Sequence, residues 1–221
     1  MILLKLIKKE LYAEIINKEV IITMLAFGLS IVMIFSFSSN LSKDVINNYT
    51  SGFFWTMILF VVVLGVHRSF AYEKEFDGFI MLVTAPIDRG QIYIAKCISG
   101  FLFISLMEVL IIFPFFTLLS IDIVLNYLPL LWTTLLINFA LMSVSNLISG
   151  IAMQARISEI LFPVLLFPLV SPLIIAATNI TNSILRQTPF SDWQIWIYLV
   201  LSIIVVFGLS GYALFDFIVE E

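Results

Sequence analysis

The chain has 221 residues, of which 62% are hydrophobic and 12% charged, and its formal net charge is −4. Ordinary soluble domains are about 45–50% apolar and about 25% charged, and a water-soluble core of this size could not bury so much apolar surface. The composition therefore excludes an ordinary soluble domain and predicts an all-α membrane protein. The small net charge gives no reason to expect a nucleic-acid partner.

The first eighteen residues are predicted to form an amphipathic helix. Its apolar side chains recur at steps of three and four residues, at Leu4, Ile7, Leu11 and Ile15. The charged side chains Lys5, Lys8, Lys9 and Glu10 fill the other side. Such a helix can lie in the membrane interface with its lysines near anionic headgroups. The alternative is a plain cytoplasmic extension of the first span.

Six apolar runs follow, each of a length that can cross a bilayer as a helix. They lie at about 20–39, 52–70, 98–120, 128–152, 160–179 and 194–215. The loops between them are short, apart from a longer one predicted from Ile180 to Trp193 and the charged segment between the second and third spans. We expect one transmembrane domain over residues 1–221, because no stretch between the spans is long enough for a folded soluble domain.

Lysine and arginine are distributed unevenly across these spans. Six crossings put both termini on one side, and nine of the eleven Lys and Arg residues fall on that side. The other side has only Lys43 and Arg186. The positive-inside rule therefore places both termini in the cytoplasm or its equivalent.

The segment 72–86 is the charge-rich stretch between the second and third spans. Phe76, Phe79, Ile80 and Val83 recur at helical spacing, and Pro86 disfavours helical geometry in the residue before it. The pattern predicts a short amphipathic helix on the cytoplasmic side. It favours either a surface for docking a partner or a solvated loop on the headgroups.

The fifth span carries three prolines, Pro163, Pro168 and Pro172. Each removes a backbone donor and clashes with the preceding turn, which a bilayer tolerates where other groups satisfy the freed carbonyls. We expect a kinked helix packed inside the bundle. The bend serves either packing or a movement during transport.

Glu108 lies near the middle of the third span. A carboxylate at the bilayer centre costs about 2.5–3.5 kcal/mol on insertion scales, so it should face the interior, protonated or paired with Asn138 or Asn146. It serves either a proton- or substrate-linked step or a neutral helix–helix contact. His67, the only histidine, is either an interfacial polar residue or a ligand, and the single Cys97 is expected to pack as a small apolar residue.

No enzymatic motif is present in the sequence. It contains no GxxxxGK[ST] loop, no GxSxG and no HExxH, and it has no Cys/His cluster for zinc or iron–sulfur. We therefore expect a non-catalytic chain that binds no cofactor directly.

Two composite patterns resemble a known family. The first consists of Leu64-Gly65, Arg68-Ser69-Phe70, Glu73, Asp77-Gly78, Met81-Leu82, Pro86-Ile87, Tyr93 and Ala95-Lys96. The second consists of Arg156, Glu159, Leu161-Phe162-Pro163, Leu165-Leu166, Pro168, Pro172 and Ala176-Ala177-Thr178. Together with the length and the six-span plan, they resemble haem exporter protein B, the membrane permease subunit of the cytochrome c maturation ABC transporter.

The resemblance implies a type-2 ABC permease that pairs with a second copy of itself and two copies of an ABC ATPase. It also implies a haem-handling membrane protein and a haem chaperone as partners, with ATP on the ATPase and haem as the pathway substrate. The membrane would be the bacterial inner membrane, or the mitochondrial one. The tryptophan-rich haem-handling motif of the partner subunits is absent, since residues 192–196 do not fit it.

The resemblance makes segment 72–86 the coupling helix that meets the ATPase. The residues expected at that contact are Glu73, Glu75, Phe76, Asp77, Gly78, Met81, Leu82 and Pro86. A transport or structural role is expected for Arg68, Glu108, Arg156, Glu159, Pro163, Pro168 and Pro172. Two rival functions stay open: a permease of the same superfamily for a drug, lipid or polysaccharide, and a secondary transporter driven by protons through Glu108.

Overall fold

The computed structural model describes residues 2–38, 43–75, 88–119, 127–155 and 157–219, which form seven helices and no strand. The helices are α1 (Ile2–Ile16), α2 (Lys18–Ser38), α3 (Lys43–Glu75), α4 (Arg89–Leu118), α5 (Tyr127–Met153), α6 (Ser158–Leu185) and α7 (Phe190–Val219). Six of them, α2 to α7, are long and apolar enough to cross a membrane. The prediction of an all-α membrane protein with six spans and an N-terminal helix is confirmed.

Several helices extend beyond the predicted spans, notably at the start of α4 and at the α6–α7 connection. Helix α4 begins at Arg89, nine residues before the predicted start at 98, because the Asp88 side chain accepts a hydrogen bond from the Gly90 N–H at 3.0 Å and caps the helix. The predicted loop from Ile180 to Trp193 is also wrong. Helix α6 continues to Leu185 and α7 begins at Phe190, so that the connection is only residues 186–189.

The polar residues at the end of α6 explain the second difference. They lower the hydropathy of the sequence, yet they face the bundle and bond there. Ser51 of α3 donates to the Asn182 Oδ1 at 2.7 Å, and Trp55 Nε1 donates to the Thr181 hydroxyl at 2.8 Å. The helix can continue through these polar residues because their side chains form hydrogen bonds with a neighbouring helix inside the protein.

Helix α5 is the centre of the bundle. It packs against α3, α4, α6 and α7, and Ile137, Ala140, Leu141 and Val144 on it are fully buried. Helices α2 and α7 lie at the periphery, and few of their residues are buried within the chain. Helix α1 packs on α4 and, to a lesser extent, on α2.

Helices α4 and α7 approach each other closely through two reciprocal pairs of glycine and tyrosine. Gly90 of α4 lies against the ring of Tyr212, and Gly211 of α7 lies against the ring of Tyr93. A Cβ atom at either glycine would collide with the facing ring. The Tyr93 hydroxyl also lies 2.8 Å from the Ser143 carbonyl oxygen and 3.0 Å from that of Phe207, which ties α4 to both α5 and α7.

The three prolines are accommodated within a continuous α6. The buried face of α6 is formed by residues such as Phe162, Leu166 and Val170, whereas Pro168 and Pro172 are exposed. The expectation that α6 is packed wholly inside the bundle is therefore wrong. Pro172 cannot donate to the Pro168 carbonyl four residues earlier, and the Ser171 hydroxyl donates to that carbonyl at 2.9 Å instead. This local bond satisfies the freed carbonyl on an exposed face without a neighbouring helix.

Candidate functional site

The end of the bundle that carries α1 is called here the near end. It contains the start of α2, the end of α3, the start of α4, the α5–α6 turn and the end of α7. In the sequence, the predicted coupling segment 72–86 connects the end of α3 to the start of α4. Glu73 and Glu75 lie in the last turn of α3, whereas Phe76, Asp77, Gly78, Met81, Leu82 and Pro86 lie outside the described residues. The described structure therefore defines the two helices that flank the segment.

A clamp between α4 and α7 fixes the point where the chain enters α4. One carboxylate oxygen of Asp88 caps α4 through Gly90 N–H, and the other accepts a hydrogen bond from the Tyr212 hydroxyl at 2.9 Å. The single side chain of Asp88 thus determines both where α4 begins and how α4 is oriented against α7. Sequence reasoning missed this residue, although an aspartate followed by Gly90 and an apolar residue every three or four positions is a helix-start signal.

A buried ion pair joins α1 to α4. Lys96 Nζ lies 3.1 Å from Glu10 Oε2, and the exposed fractions of the two side chains are 4% and 6%. Lys9 Nζ lies 2.8 Å from the other oxygen of Glu10. The Lys96 ammonium also lies 4.8 Å from the centroid of the Phe70 ring on α3, a cation–π distance. Lys96 of α4 therefore contacts side chains of two other helices, α1 and α3.

The electrostatics of Glu10 reflect this arrangement. Burial alone would raise the pKa of the Glu10 carboxyl, but the charges of Lys96 and Lys9 outweigh it and hold that pKa below its ordinary value. The sequence prediction that Glu10 lies with the lysines on the solvent side of α1 is wrong. Glu10 and Leu6 face the bundle, because the cation of Lys96 is two turns inside α4. The apolar residues Leu4 and Ile15 stay exposed, as a helix lying on a membrane surface requires.

An open cleft of about 520 Å³ lies at the same end between α3, α5 and α6. Its walls include His67, Phe70, Ser149, Glu159 and Phe162. The rings of His67 and Phe162 are 6.1 Å apart between centroids. The structure thus places Glu159 and His67 at one cleft.

The other predicted residues of this end are dispersed. Arg68 is exposed, and Arg156 lies outside the described residues. Within the described part of the chain, no three His, Cys, Asp or Glu side chains come together as metal ligands. The roles predicted for these residues stay predictions.

Glu108 lies in the body of α4 and is buried against α5. Asn138 Nδ2 donates to Glu108 Oε2 at 2.5 Å and lies 3.3 Å from the Ser105 hydroxyl. The predicted partnership with Asn138 is confirmed, whereas Asn146 bonds elsewhere, to the Cys97 sulfur at 3.7 Å. Among the described residues, Glu108 Oε1 and Asn138 Oδ1 have no hydrogen-bond partner.

A comparison with protein families identifies the family to which the chain belongs. The family described as CcmB protein matches residues 1–216, which is nearly the whole chain. The chain belongs to the CcmB family. A search of curated proteins finds no match for it. The resemblance to haem exporter protein B seen in the sequence is therefore confirmed.

Membership of the CcmB family assigns the chain to the haem export and cytochrome c maturation ABC transporter. The chain is a multi-pass membrane protein of the permease type, in a complex that has an ATPase partner. The match covers both composite sequence patterns, helices α1 to α6 in full and α7 as far as residue 216. The near end therefore belongs to the permease of an ATP-driven complex.

Proposed function

We propose that this CcmB protein couples ATP hydrolysis on a partner ATPase to haem delivery, or to the release of the haem-loaded chaperone, on the outer face. The observation that carries the proposal is the family match over residues 1–216, and it is supported by the contacts that position the start of α4 next to the proposed coupling segment 72–86. The ATPase contacts this segment, and ATP binds to the ATPase, since the chain has no phosphate-binding loop of its own. The working assembly contains two copies of each chain.

The mechanism requires the permease to exist in two arrangements that differ in affinity for the nucleotide states of the ATPase. A ligand shifts only those equilibria whose two states it binds differently. The segment between α3 and α4 transmits that difference in affinity from the ATPase to the membrane domain. The permease then converts it into a movement of the spans that acts on the haem pathway.

The docking proposal is tested with two variants in the segment, Glu73→Lys and Gly78→Trp. Each should weaken recovery of the ATPase with the tagged permease while leaving membrane insertion unchanged. Glu19→Lys serves as a matched control, because Glu19 is an exposed carboxylate on α2 at the same end. Normal recovery of the ATPase by both segment variants would place the docking surface elsewhere.

The pathway proposal is tested by deleting the gene in its own host. We expect c-type cytochromes to be lost while b-type cytochromes and haem synthesis persist. The purified subunit alone should neither hydrolyse ATP nor bind haem stoichiometrically. Normal c-type cytochromes in a deletion strain with no second copy would leave a permease for another substrate.

The proposed orientation has both termini in the cytoplasm and the chain in the inner membrane. It rests on the distribution of nine Lys and Arg residues on one side and two on the other. Reporter fusions after Ser42, Asp122 and Arg186 should report the outer compartment, and fusions after Asp77 and Arg156 the inner one. One inverted reporter among the first three would overturn the map.

A further inference from the structure

Lys96 is a buried lysine, and its position is unusual for a membrane domain. Its side chain is 4% exposed and lies between Glu10 of α1 and Phe70 of α3. Lysine is seldom fully buried unless it is paired. A cation at this place needs a reason beyond packing, because well-packed apolar residues of similar volume are often as stabilising as a buried ion pair.

We propose that the Glu10–Lys96 pair is a positioning joint that ties α1 to both helices flanking segment 72–86. The proposal rests on the proposed function of that segment. Through this joint, α1 sets the relative placement of the end of α3 and the start of α4. Glu10 and Lys96 are positioning residues, and neither is assigned a contact with the ATPase.

The distances along the helices support the proposal. Lys96 lies eight residues after Asp88, which is about 12 Å along α4 at about 1.5 Å per residue. Phe70 lies five residues before Glu75, which is about 7.5 Å along α3 on the same scale. The joint is therefore within about two turns of each end of the intervening chain. A displacement of α1 at this joint therefore shifts both the end of α3 and the start of α4.

The surroundings of the joint leave it able to adjust. A cavity of about 40 Å³ adjoins the pair; most of its lining is apolar, and its polar lining residues include Glu10, Glu14, Asn17, Lys96 and Asn146. Polar groups on part of the wall and room for a water molecule differ from the close packing of an apolar core, where side chains have one arrangement. An ionic joint beside such a cavity fixes which residues meet while allowing the helices to shift.

The test is a charge swap measured on folded protein. Glu10→Lys, Lys96→Glu and the double swap are purified in detergent, and the affinity for the ATPase is measured on the monodisperse fraction. We expect each single variant to bind about tenfold more weakly, within the range of about 5–150-fold typical of coupling between sites. The double swap should return to within about threefold of the native affinity, because it restores the pair.

A merely structural role would lower the yield of folded protein without changing the affinity of the molecules that remain. Lys9→Gln is the control, because Lys9 also contacts Glu10 but is half exposed and lies on α1 itself. It should change the affinity less than twofold. If the single swaps do not fold, the neutral pair Glu10→Gln with Lys96→Gln leaves no charge unpaired and should fold with weakened binding.

The outcome separates this proposal from the one it rests on. Native affinity in the neutral pair, or failure of the double swap to recover binding when the single swaps lose it, overturns the joint. If Glu73→Lys and Gly78→Trp weaken binding in the same assay while the joint variants do not, only the joint is wrong. If none of these variants weakens binding, the docking function of the segment fails as well.

Discussion

Two buried carboxylates contact or belong to α4, and they are held in opposite ways. Glu10 reaches α4 at the near end and pairs with two cations, Lys96 and Lys9. Glu108 lies twelve residues beyond Lys96, about 18 Å along the helix, and has only the amide of Asn138. The near end can hold an ionic contact because α1 brings charge from the membrane surface. The interior offers uncharged partners, so that a carboxylate there has no counter-charge.

The role of a buried carboxylate is therefore indicated by its partner and by its position along the bundle, rather than by its burial alone. Glu10 makes an ionic contact between α1 and α4. Glu108 is a polar contact between two helices of the packed core. Substitutions of one member of each pair test whether the two carboxylates have these different roles.

The largest effect is expected for Lys96→Met. Breaking a buried pair by removing one partner typically costs about 3–5 kcal/mol, because the remaining charge is left uncompensated. Lys9 stays beside Glu10, so we expect the lower part of that range. The measurement is the thermal unfolding midpoint in detergent. Lys18→Met is the matched control, since Lys18 is exposed at the start of α2, and equal midpoints for the two variants would contradict the ionic joint.

The six spans can be predicted from the sequence, whereas the Glu10–Lys96 joint cannot, and the reason is physical. Hydropathy reports how apolar a run is, and the six spans are apolar enough for that signal to find them. Lys96 lowers the hydropathy of the first turns of α4, so the span was predicted to begin at 98. Its partner lies 86 residues earlier in the chain. A compensating charge on another helix has no local signal.

The sequence predicts that Glu108 contacts a polar side chain, but it does not predict which one. An intramembrane carboxylate requires a polar partner, and α5 offered Asn138 and Asn146. The choice between them depended on the register of α4 against α5. That register is set by contacts such as Tyr93 with the Ser143 carbonyl, which no periodicity reveals.

A smaller effect is expected for Asn138→Leu. The variant removes the donor to Glu108 Oε2 and leaves a buried acceptor unsatisfied, which costs about 1–3 kcal/mol. Replacing both partners, Asn138→Leu with Glu108→Leu, should recover much of the loss, because neither polar group is then stranded. Unfolding midpoints of the two single variants and the double variant give the interaction. Additive losses would show that the two side chains do not contact each other.

The pH dependence of the near end should follow the Glu10 carboxyl. Its pKa in the folded protein is held below the ordinary value of a glutamate carboxyl, so the stabilisation is complete above that ordinary value and is lost as the pH falls through the folded pKa. Glu14 of α1 lines the same cavity, and Lys9 and Lys96 face the carboxyl, so a single curve would mix several groups. The difference between native protein and Glu10→Gln isolates one of them.

We expect that difference to be constant from neutral pH down towards the ordinary pKa of a glutamate carboxyl and to shrink at lower pH. Once protonated, the native carboxyl is uncharged like the amide that replaces it. The effect is smaller than for Lys96→Met, since glutamine still offers an oxygen to Lys96. Unfolding midpoints measured from pH 7 to pH 3 on both proteins give the result. A difference that persists unchanged to pH 3 would contradict a charge-based contact.

The smallest effect is expected for Glu108→Gln, and it decides what the interior carboxylate does. A charged carboxylate in the bilayer interior costs about 2.5–3.5 kcal/mol or more, and Glu108 has an amide rather than a cation beside it, so we expect it to be neutral and structural. Glutamine keeps the length and offers an oxygen to Asn138, while its NH₂ can occupy the place of the carboxyl proton. Stability and c-type cytochrome yield should therefore stay close to native. The readout is the yield at equal amounts of assembled complex, with Asn138→Leu as the variant that disturbs the same contact without touching the titratable group. Loss of function in Glu108→Gln at normal expression would mean that the proton itself is used, and would revive a proton-coupled transporter as the function of this chain.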